Sequence, residues 1–341
     1  MEIEIMFLRS GLMGLYFIAA AQAAAASETF PLTLQNCGET VTFEAPVGSS
    51  VTVGQAATEV LYALGLGDKV LGTSVWFNDV LPEYAELNAK VERLADNDPS
   101  FESVVAKRPG LVAAQYEWHV GPEGVVAKRE QFHDLGIPTY VMPADCVGKD
   151  NTTGGDGTRT EMFTTDSLYQ GIEELAAIFG EAEKGAELVA DYKAREAAAV
   201  AKAQEVALED ASAVFWFSSP EMESDPFVAG QKGAPGYMMQ QLGLRNVIET
   251  DEEWPTVGWE TIAKANPTVI VIARMDRRRF AADDYEKKLE FLRNDPVASQ
   301  MDAVKNNRIV VMDAQAMDAT IRAIPALEDL AAELRAIGNG V

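Results

Sequence analysis

A short pattern that occurs twice in this chain, a helix followed by a proline-containing turn and a β-branched strand, constrains its fold more than any other feature. The first copy covers residues 101–114, with Pro109 in the turn. The second covers residues 254–273, with Pro267 in the turn. An unbroken apolar run bounded by a turn is typical of a buried parallel strand. Because aromatic residues stand beside both copies, we predict two similar lobes that face each other and clamp a ligand.

Predicted strands and helices alternate along the rest of the chain. The predicted strands cover residues 31–43 (an edge hairpin), 51–54, 70–74, 138–142, 213–217, 245–248 and 308–312. The predicted helices cover residues 56–64, 124–135, 167–179, 182–208, 237–242, 284–292 and 323–337. This order indicates the α/β class, with parallel sheets covered by helices and a ligand site beyond the carboxyl ends of the strands.

The long helical stretch at residues 182–208 contains no proline and a single glycine. A helix of roughly 25 residues is about 37 Å long, enough to run from one lobe to the other. We therefore predict two parallel-sheet lobes joined by one long backbone helix, with the ligand in the inter-lobe cleft. The predicted domains are a signal peptide (residues 1–26), an N-terminal α/β lobe (27–165), a linking helical region (166–208) and a C-terminal α/β lobe (209–341).

The N-terminus has the pattern of a secretory signal peptide. Arg9 precedes an apolar run at residues 11–21, and small residues up to Ala26 supply a cleavage site. The run is shorter than the roughly 20 residues that a membrane span needs. We expect cleavage after Ala26 and a mature chain in the periplasm, with either Met1 or Met6 as the start of translation.

Charge and cysteine usage exclude several classes of protein. The formal net charge of −25 at pH 7 repels nucleic acid and anionic lipid, and no basic run compensates for it. The two cysteines, Cys37 and Cys146, form no C-x-x-C motif. In an oxidising compartment they favour one structural disulfide over catalytic thiols. The two histidines, His119 and His133, are too few for a typical zinc or manganese site.

Five motifs follow one another across nearly the whole predicted mature chain: TEVLYALGL (58–66), LGIP (135–138), QLGLRNV (241–247), WP (254–255) and AVKNNR (303–308). Together they resemble the class III, helical-backbone substrate-binding proteins of ABC importers, a family that includes periplasmic vitamin B12 and ferric siderophore binders. The resemblance implies two rigid lobes, a ligand in the cleft, and delivery of that ligand to a membrane permease with its ATPase. It implies no catalysis and no cofactor of the protein's own, and we expect a monomer.

Aromatic residues at predicted strand ends are the first candidate ligand-binding group. By resemblance, Trp76, Phe217 and Trp254 match cleft positions of the family. Phe77, Tyr116 and Trp118 join them because they also follow predicted strands. Large flat side chains supply apolar area at low entropic cost, which suits a bulky planar or macrocyclic ligand.

Arginines at strand ends are the second group. Arg274 and Arg322 follow the predicted strands at 269–273 and 308–312, and a guanidinium fork matches a carboxylate, so we expect them to hold an anionic chelate. For permease docking, the family pattern of one acidic residue in each lobe falls on Glu102 and on Gln240. Gln240 departs from that pattern, which leaves the second docking contact open.

Three functions compete at this point. The leading one is a periplasmic receptor for a ferric siderophore or a similar anionic iron chelate. The second is a cobalamin or haem binder on the same scaffold, with Tyr116 or His119 as an axial ligand for haem. The third is a secreted hydrolase, for which no G-x-S-x-G, H-E-x-x-H or Walker motif is present.

Overall fold

The computed structural model describes residues 30–153, 157–205 and 210–339. The predicted signal peptide, residues 1–26, lies outside this part of the chain. The elements of the N-terminal lobe are β1 (Leu32–Asn36), β2 (Glu39–Phe43), β3 (Ser50–Val53), α1 (Gln55–Ala63), β4 (Val70–Ser74), α2 (Ala85–Asn88), β5 (Arg93–Ala95), α3 (Phe101–Val105), β6 (Val112–Ala114), α4 (Arg129–His133), β7 (Thr139–Val141), β8 (Lys149–Asp150) and β9 (Thr158–Arg159).

Two long helices follow, and the C-terminal lobe is built after them. The remaining elements are α5 (Thr165–Ile178), α6 (Ala182–Gln204), β10 (Ser212–Ser218), β11 (Phe227–Val228), α7 (Ala234–Gln241), β12 (Arg245–Asn246), α8 (Trp259–Ala265), β13 (Val269–Arg274), α9 (Tyr285–Asn294), α10 (Asp302–Lys305), β14 (Ile309–Asp313) and α11 (Ala323–Asn339). Among the described residues, no helix is both long enough and apolar enough to cross a bilayer.

Each lobe contains one five-stranded sheet. In the N-terminal lobe the order is β5-β4-β3-β6-β7, and every pair is parallel. In the C-terminal lobe the path is β11-β10-β13-β14, with β12 beside the start of β10. Only β11 runs antiparallel there. The prediction of two parallel-sheet lobes is confirmed.

Helix α6 is the predicted backbone helix, and its side chains enter both hydrophobic cores. Val189 and Tyr192, near its start, are buried in the core of the N-terminal lobe. Ala199 and Ala203, near its end, are buried in the core of the C-terminal lobe. Because one continuous helix has a face in each core, the two lobes are tied together by packing as well as by chain connectivity.

The structure tests the predicted disulfide and the predicted helix at residues 124–135. The disulfide is confirmed: Cys37 and Cys146 are bonded, with their Cα atoms 5.6 Å apart. It fastens the turn between β1 and β2 to the segment after β7. The predicted helix at residues 124–135 is wrong in its first half, because only Arg129–His133 is helical and Gly124 has a left-handed φ of 57°.

Candidate functional site

The carboxyl ends of the two sheets meet at the junction of the lobes. Gln115, just after β6, donates from Nε2 to Oε1 of Gln315 at 3.3 Å. Beside this pair, the Tyr116 hydroxyl donates to Oδ2 of Asp318 at 3.2 Å, and Gln315 donates to the same carboxylate at 3.0 Å. These contacts place Tyr116, a predicted site residue, at the inter-lobe cleft.

Tyr116 and Trp118 form an aromatic pair on the N-terminal side of the cleft. Their rings meet edge to face, with centroids 6.3 Å apart, and Trp118 is 44% exposed. The 3-10 turn Glu117–His119 is fixed because His119 is buried and its Nε2 lies 3.0 Å from Oδ1 of Asp98. That hydrogen bond lowers the pKa of Asp98 below its usual range.

Phe217 and Trp254 form a second aromatic pair, on the C-terminal side. Phe217 is the penultimate residue of β10, Trp254 lies in the loop before Pro255, and their ring centroids are 4.7 Å apart. Both pack against the same core cluster as Met317, the residue before Asp318. Asp318 in turn accepts from the Tyr116 hydroxyl, and a shared ligand site for the two aromatic pairs stays a prediction.

Trp76 and Phe77, which follow β4, are held by arginines. Trp76 is only 2% exposed, its indole N–H donates to Thr73, and the Arg93 guanidinium lies 5.0 Å above its ring. The Phe77 ring is covered by the guanidinium of Arg277 at 4.7 Å. Trp76 therefore packs inside the protein, whereas Phe77 is only partly buried, and a role for either in ligand binding stays a prediction.

Arg322 is buried in a network that joins the lobes. Its Nε donates to Oε2 of Glu59 on α1 at 2.9 Å, and its Nη1 donates to Oδ2 of Asp313 at 2.6 Å. Another donor reaches the carbonyl oxygen of Asp79. Burial lowers the pKa of Arg322, but the hydrogen bonds and charges of Glu59 and Asp313 outweigh it and leave the pKa above its usual range. The guanidinium stays charged, and two carboxylates neutralise it.

Arg274 keeps more freedom. Its side chain is 48% exposed and its guanidinium lies 3.9 Å from Asp313, a carboxylate that already pairs with Arg322. Arg274 borders a concavity of about 240 Å³ between strand β14 and helix α11, with Leu81 and Pro325 among its walls. The two predicted arginines are thus neighbours around Asp313, whereas Tyr116 is bonded to Asp318.

The segment after β13 crosses to the N-terminal lobe. The Asp79 amide donates to Oδ2 of Asp276 at 3.0 Å, and the Arg277 amide donates to the carbonyl oxygen of Phe77 at 3.0 Å. Arg277 also donates from its side chain to the carbonyl oxygen of Asp96 at 2.6 Å. These bonds fix the lobes to each other at the ends of β4 and β13.

The two candidate docking residues are both at the surface. Glu102 lies in the first turn of α3, whose N-cap is Ser100, and its side chain is exposed. Gln240 is exposed near the end of α7. Their contact with a permease stays a prediction.

Comparisons with known proteins agree with this geometry. Residues 51–316 match the family model of periplasmic binding proteins. The chain is 25% identical to the ABC transporter substrate-binding lipoprotein YvrC of Bacillus subtilis, over 91% of this chain and 88% of that one. It is 26% identical to the vitamin B12-binding protein of Vibrio parahaemolyticus, over 74% and 81%. A solved structure from the Fe3+-hydroxamate transport system of Saccharomonospora viridis has a TM-score of 0.70 and 26% identity, over 89% and 99%.

Proposed function

Since this chain belongs to the periplasmic binding protein family, we propose that its inter-lobe cleft captures a ferric siderophore or a similar iron chelate. The chain is the ligand-binding component of an ABC import system, a transport protein and not an enzyme, and it delivers its ligand to a membrane permease with an ATPase. The family is extracytoplasmic. Cleavage after Ala26 and a monomeric state are parts of the proposal.

The single observation that carries the proposal of a bulky organic ligand is the presence of two aromatic pairs, one in each lobe. Tyr116 with Trp118 in the N-terminal lobe, and Phe217 with Trp254 in the C-terminal lobe, are partly exposed, and we assign both pairs to the walls of the cleft. Such rings bury large apolar areas against the organic frame of a chelate. The relative from Saccharomonospora viridis, named for ferric hydroxamate transport, adds support.

Charge recognition is the finer part of the proposal. We assign the contact with an anionic group of the chelate to Arg274, because its side chain is half exposed and its distance to Asp313 is long for an ion pair. Arg322 is already neutralised by Glu59 and Asp313, so its contribution is to hold the lobes. The proposed site is therefore Tyr116, Trp118, Phe217, Trp254 and Arg274.

Cobalamin is the second candidate ligand. The same aromatic rings suit a macrocycle, and the relative from Vibrio parahaemolyticus is named for vitamin B12 binding. Haem is less well supported, because the Tyr116 hydroxyl is engaged by Asp318 and the His119 Nε2 lies against Asp98. Either side chain would have to leave its partner to bind iron.

Trp118→Ala and Trp254→Ala are each expected to weaken chelate binding about fivefold or more, because truncating an aromatic anchor of a binding site costs over about 1 kcal/mol. Calorimetry against a ferric trihydroxamate, a ferric carboxylate chelate, cobalamin and haem measures this. Leu135→Ala is the control, since Leu135 is exposed and precedes β7, at the opposite edge of the sheet from the cleft. If both tryptophan variants bind with unchanged affinity, the two residues are not part of the ligand site. If the protein binds cobalamin tightly and binds no ferric chelate, cobalamin is the favoured ligand.

Glu102→Arg is expected to leave chelate affinity unchanged while abolishing uptake, because reversing a charge at a docking interface disrupts encounter and register but not pocket contacts. Uptake of radioactive iron in cells that depend on this protein gives the readout. Asp134→Arg is the matched control: it is also an exposed acid of the N-terminal lobe, but it lies just before β7. Normal transport by Glu102→Arg would rule out this docking contact.

A further inference from the structure

A buried lysine lies beneath the cleft, where β10 and β13 end. Lys288, on α9, is fully buried. Its Nζ donates to the carbonyl oxygen of Ala273 at 2.8 Å and to that of Phe217, and it lies 5.4 Å from the centre of the Trp216 ring. The lysine therefore binds carbonyl groups of the penultimate residues of two neighbouring strands.

The backbone pairing explains why these carbonyl groups need a donor. The parallel register of β10 and β13 ends at Trp216 with Ile272. Beyond this point the carbonyl groups of Phe217 and Ala273 point at the Lys288 ammonium, where a continued ladder would supply amide donors. An ammonium has three donors, and buried carbonyl oxygens need partners. Lys288 thus occupies the space between the diverging strand ends.

Asp283, in the 3-10 turn Ala281–Asp283 that precedes α9, completes the arrangement. Its Oδ1 accepts from the Ser218 hydroxyl at 2.5 Å, and its Oδ2 accepts from the amides of Arg279 at 2.6 Å and Phe280 at 2.7 Å. Asp283 is buried, so it fixes the end of β10 and the segment after β13 at once. That segment is the one that crosses to the N-terminal lobe through Asp276 and Arg277.

We propose that Lys288 is a positioning residue for ligand binding: it holds the ends of β10 and β13 apart and so sets Phe217 and the segment 274–280 at the cleft. The inference rests on the proposed function, because Phe217 and Arg274 belong to the proposed site. Lys288 acts through the backbone and does not touch the ligand.

The protonation state of Lys288 gives a way to measure its positioning role. Burial lowers the pKa of Lys288 to about 7, against a smaller opposing effect of the Asp283 charge. The other acid nearby in the chain, Asp284, caps α9 and is paired with Arg278 at 2.7 Å. The lowered pKa means that the buried site suits the neutral amine better than the ammonium, whereas a Lys288 exposed by local opening regains its ordinary, higher pKa. Local opening that exposes Lys288 should therefore become less favourable as the pH rises through about 7.

Hydrogen–deuterium exchange of the ligand-free protein tests the proposal. In Lys288→Gln the amides of residues 217–219 and 274–280 should exchange about tenfold faster, the effect expected for losing such a charged hydrogen bond. The amides of β3 and β6 should stay unchanged and serve as the internal reference. Lys287→Gln is the matched control, because Lys287 is the exposed neighbour on the same helix.

The wild type provides a second arm that does not depend on whether the variant folds. Between pH 6 and pH 8, exchange in the same two segments should fall about tenfold relative to its intrinsic pH dependence, because each pH unit above the lowered pKa adds about 1.4 kcal/mol to the free energy of opening. Lys288→Gln should also bind a ferric trihydroxamate about tenfold more weakly, and Lys287→Gln should bind it as the wild type does. Unchanged affinity in Lys288→Gln, or exchange that is unchanged or altered in all segments alike, overturns the role of Lys288. If the local exchange changes but the wild type binds no ferric chelate, cobalamin or haem, the result supports the backbone role of Lys288 and overturns the proposed function.

Discussion

Arg322→Ala is expected to lower the free energy of unfolding by about 3–5 kcal/mol, because removing one partner of a buried ion pair leaves the other charge without compensation. Glu59, the carboxylate left behind, is fully buried on α1. Asp313 would lose its 2.6 Å partner as well. Denaturant unfolding followed by circular dichroism measures the change.

Arg195→Ala is the control for this prediction. Arg195 also pairs through two hydrogen bonds with a carboxylate, Glu328, but both side chains are about one-third exposed. Exposed pairs contribute under about 1 kcal/mol. If Arg322→Ala costs no more than Arg195→Ala, the buried network does not stabilise the junction of the lobes.

The position of Arg322 explains why Arg322→Ala should lower the free energy of unfolding of both lobes. It immediately precedes α11, and the flanking residues Ile321 and Ile324 are buried in the core of the N-terminal lobe. Further along α11, Leu327 and Leu330 are buried in the core of the C-terminal lobe. Helix α11 thus repeats the bridging role of α6, and the Arg322 network fastens its first turn. A receptor with two such bridges has lobes that resist separation.

Local sequence patterns predicted most elements because they depend on neighbours in the chain. The β-branched run at 269–273 corresponds to β13 (Val269–Arg274), and residues 70–74 correspond to β4. The run without proline at 182–208 contains α6 (Ala182–Gln204), and residues 206–209 lie outside the described part of the chain. In each case an apolar periodicity and a flanking breaker act over a few residues.

The predicted helix at 124–135 failed because tertiary hydrogen bonds override local preference. The amide of Val125 donates to the carbonyl oxygen of Trp118 at 3.1 Å, and that of Val126 donates to His119 at 3.0 Å. These bonds hold the segment against the 3-10 turn, and the left-handed φ of 57° at Gly124 takes its start out of a right-handed helix. The segment whose helix prediction is wrong lies beside the turn that exposes Trp118 at the surface.

The candidate site was predictable as a location but not as a set of contacts. Parallel strand ends indicate where ligands bind, and this placed Tyr116, Phe217 and Arg274 at the junction of the lobes. Sequence patterns could not pair Arg322 with Glu59, which lies 263 positions away. Sequence patterns also could not predict that Lys288 is buried while its neighbour Lys287 is exposed. Which lysine is buried depends on how α9 packs against β10 and β13.

Replacing both cysteines, Cys37→Ser with Cys146→Ser, is expected to lower the free energy of unfolding by about 4 kcal/mol. The bond closes a loop with a sequence separation of 109, and a cross-link over about 100 residues contributes up to about 4.7 kcal/mol in the chain-entropy model. Denaturant unfolding of the wild type with and without reductant should reproduce the difference. The double variant should not respond to reductant.

The double variant should still fold, because side-chain hydrogen bonds hold the same hairpin in place. Asn36, at the end of β1, accepts from the amide of Val141 at 2.8 Å and donates to its carbonyl oxygen at 2.7 Å, which extends β7 by a side chain. Arg129 donates to the Asn36 carbonyl oxygen at 2.9 Å. The disulfide therefore acts mainly by restricting the unfolded chain, and the loss should appear in the midpoint of unfolding while the folded circular dichroism spectrum is unchanged. Two free thiols in the unfolded, unreduced wild type, or a wild type whose midpoint does not move on reduction, would contradict it.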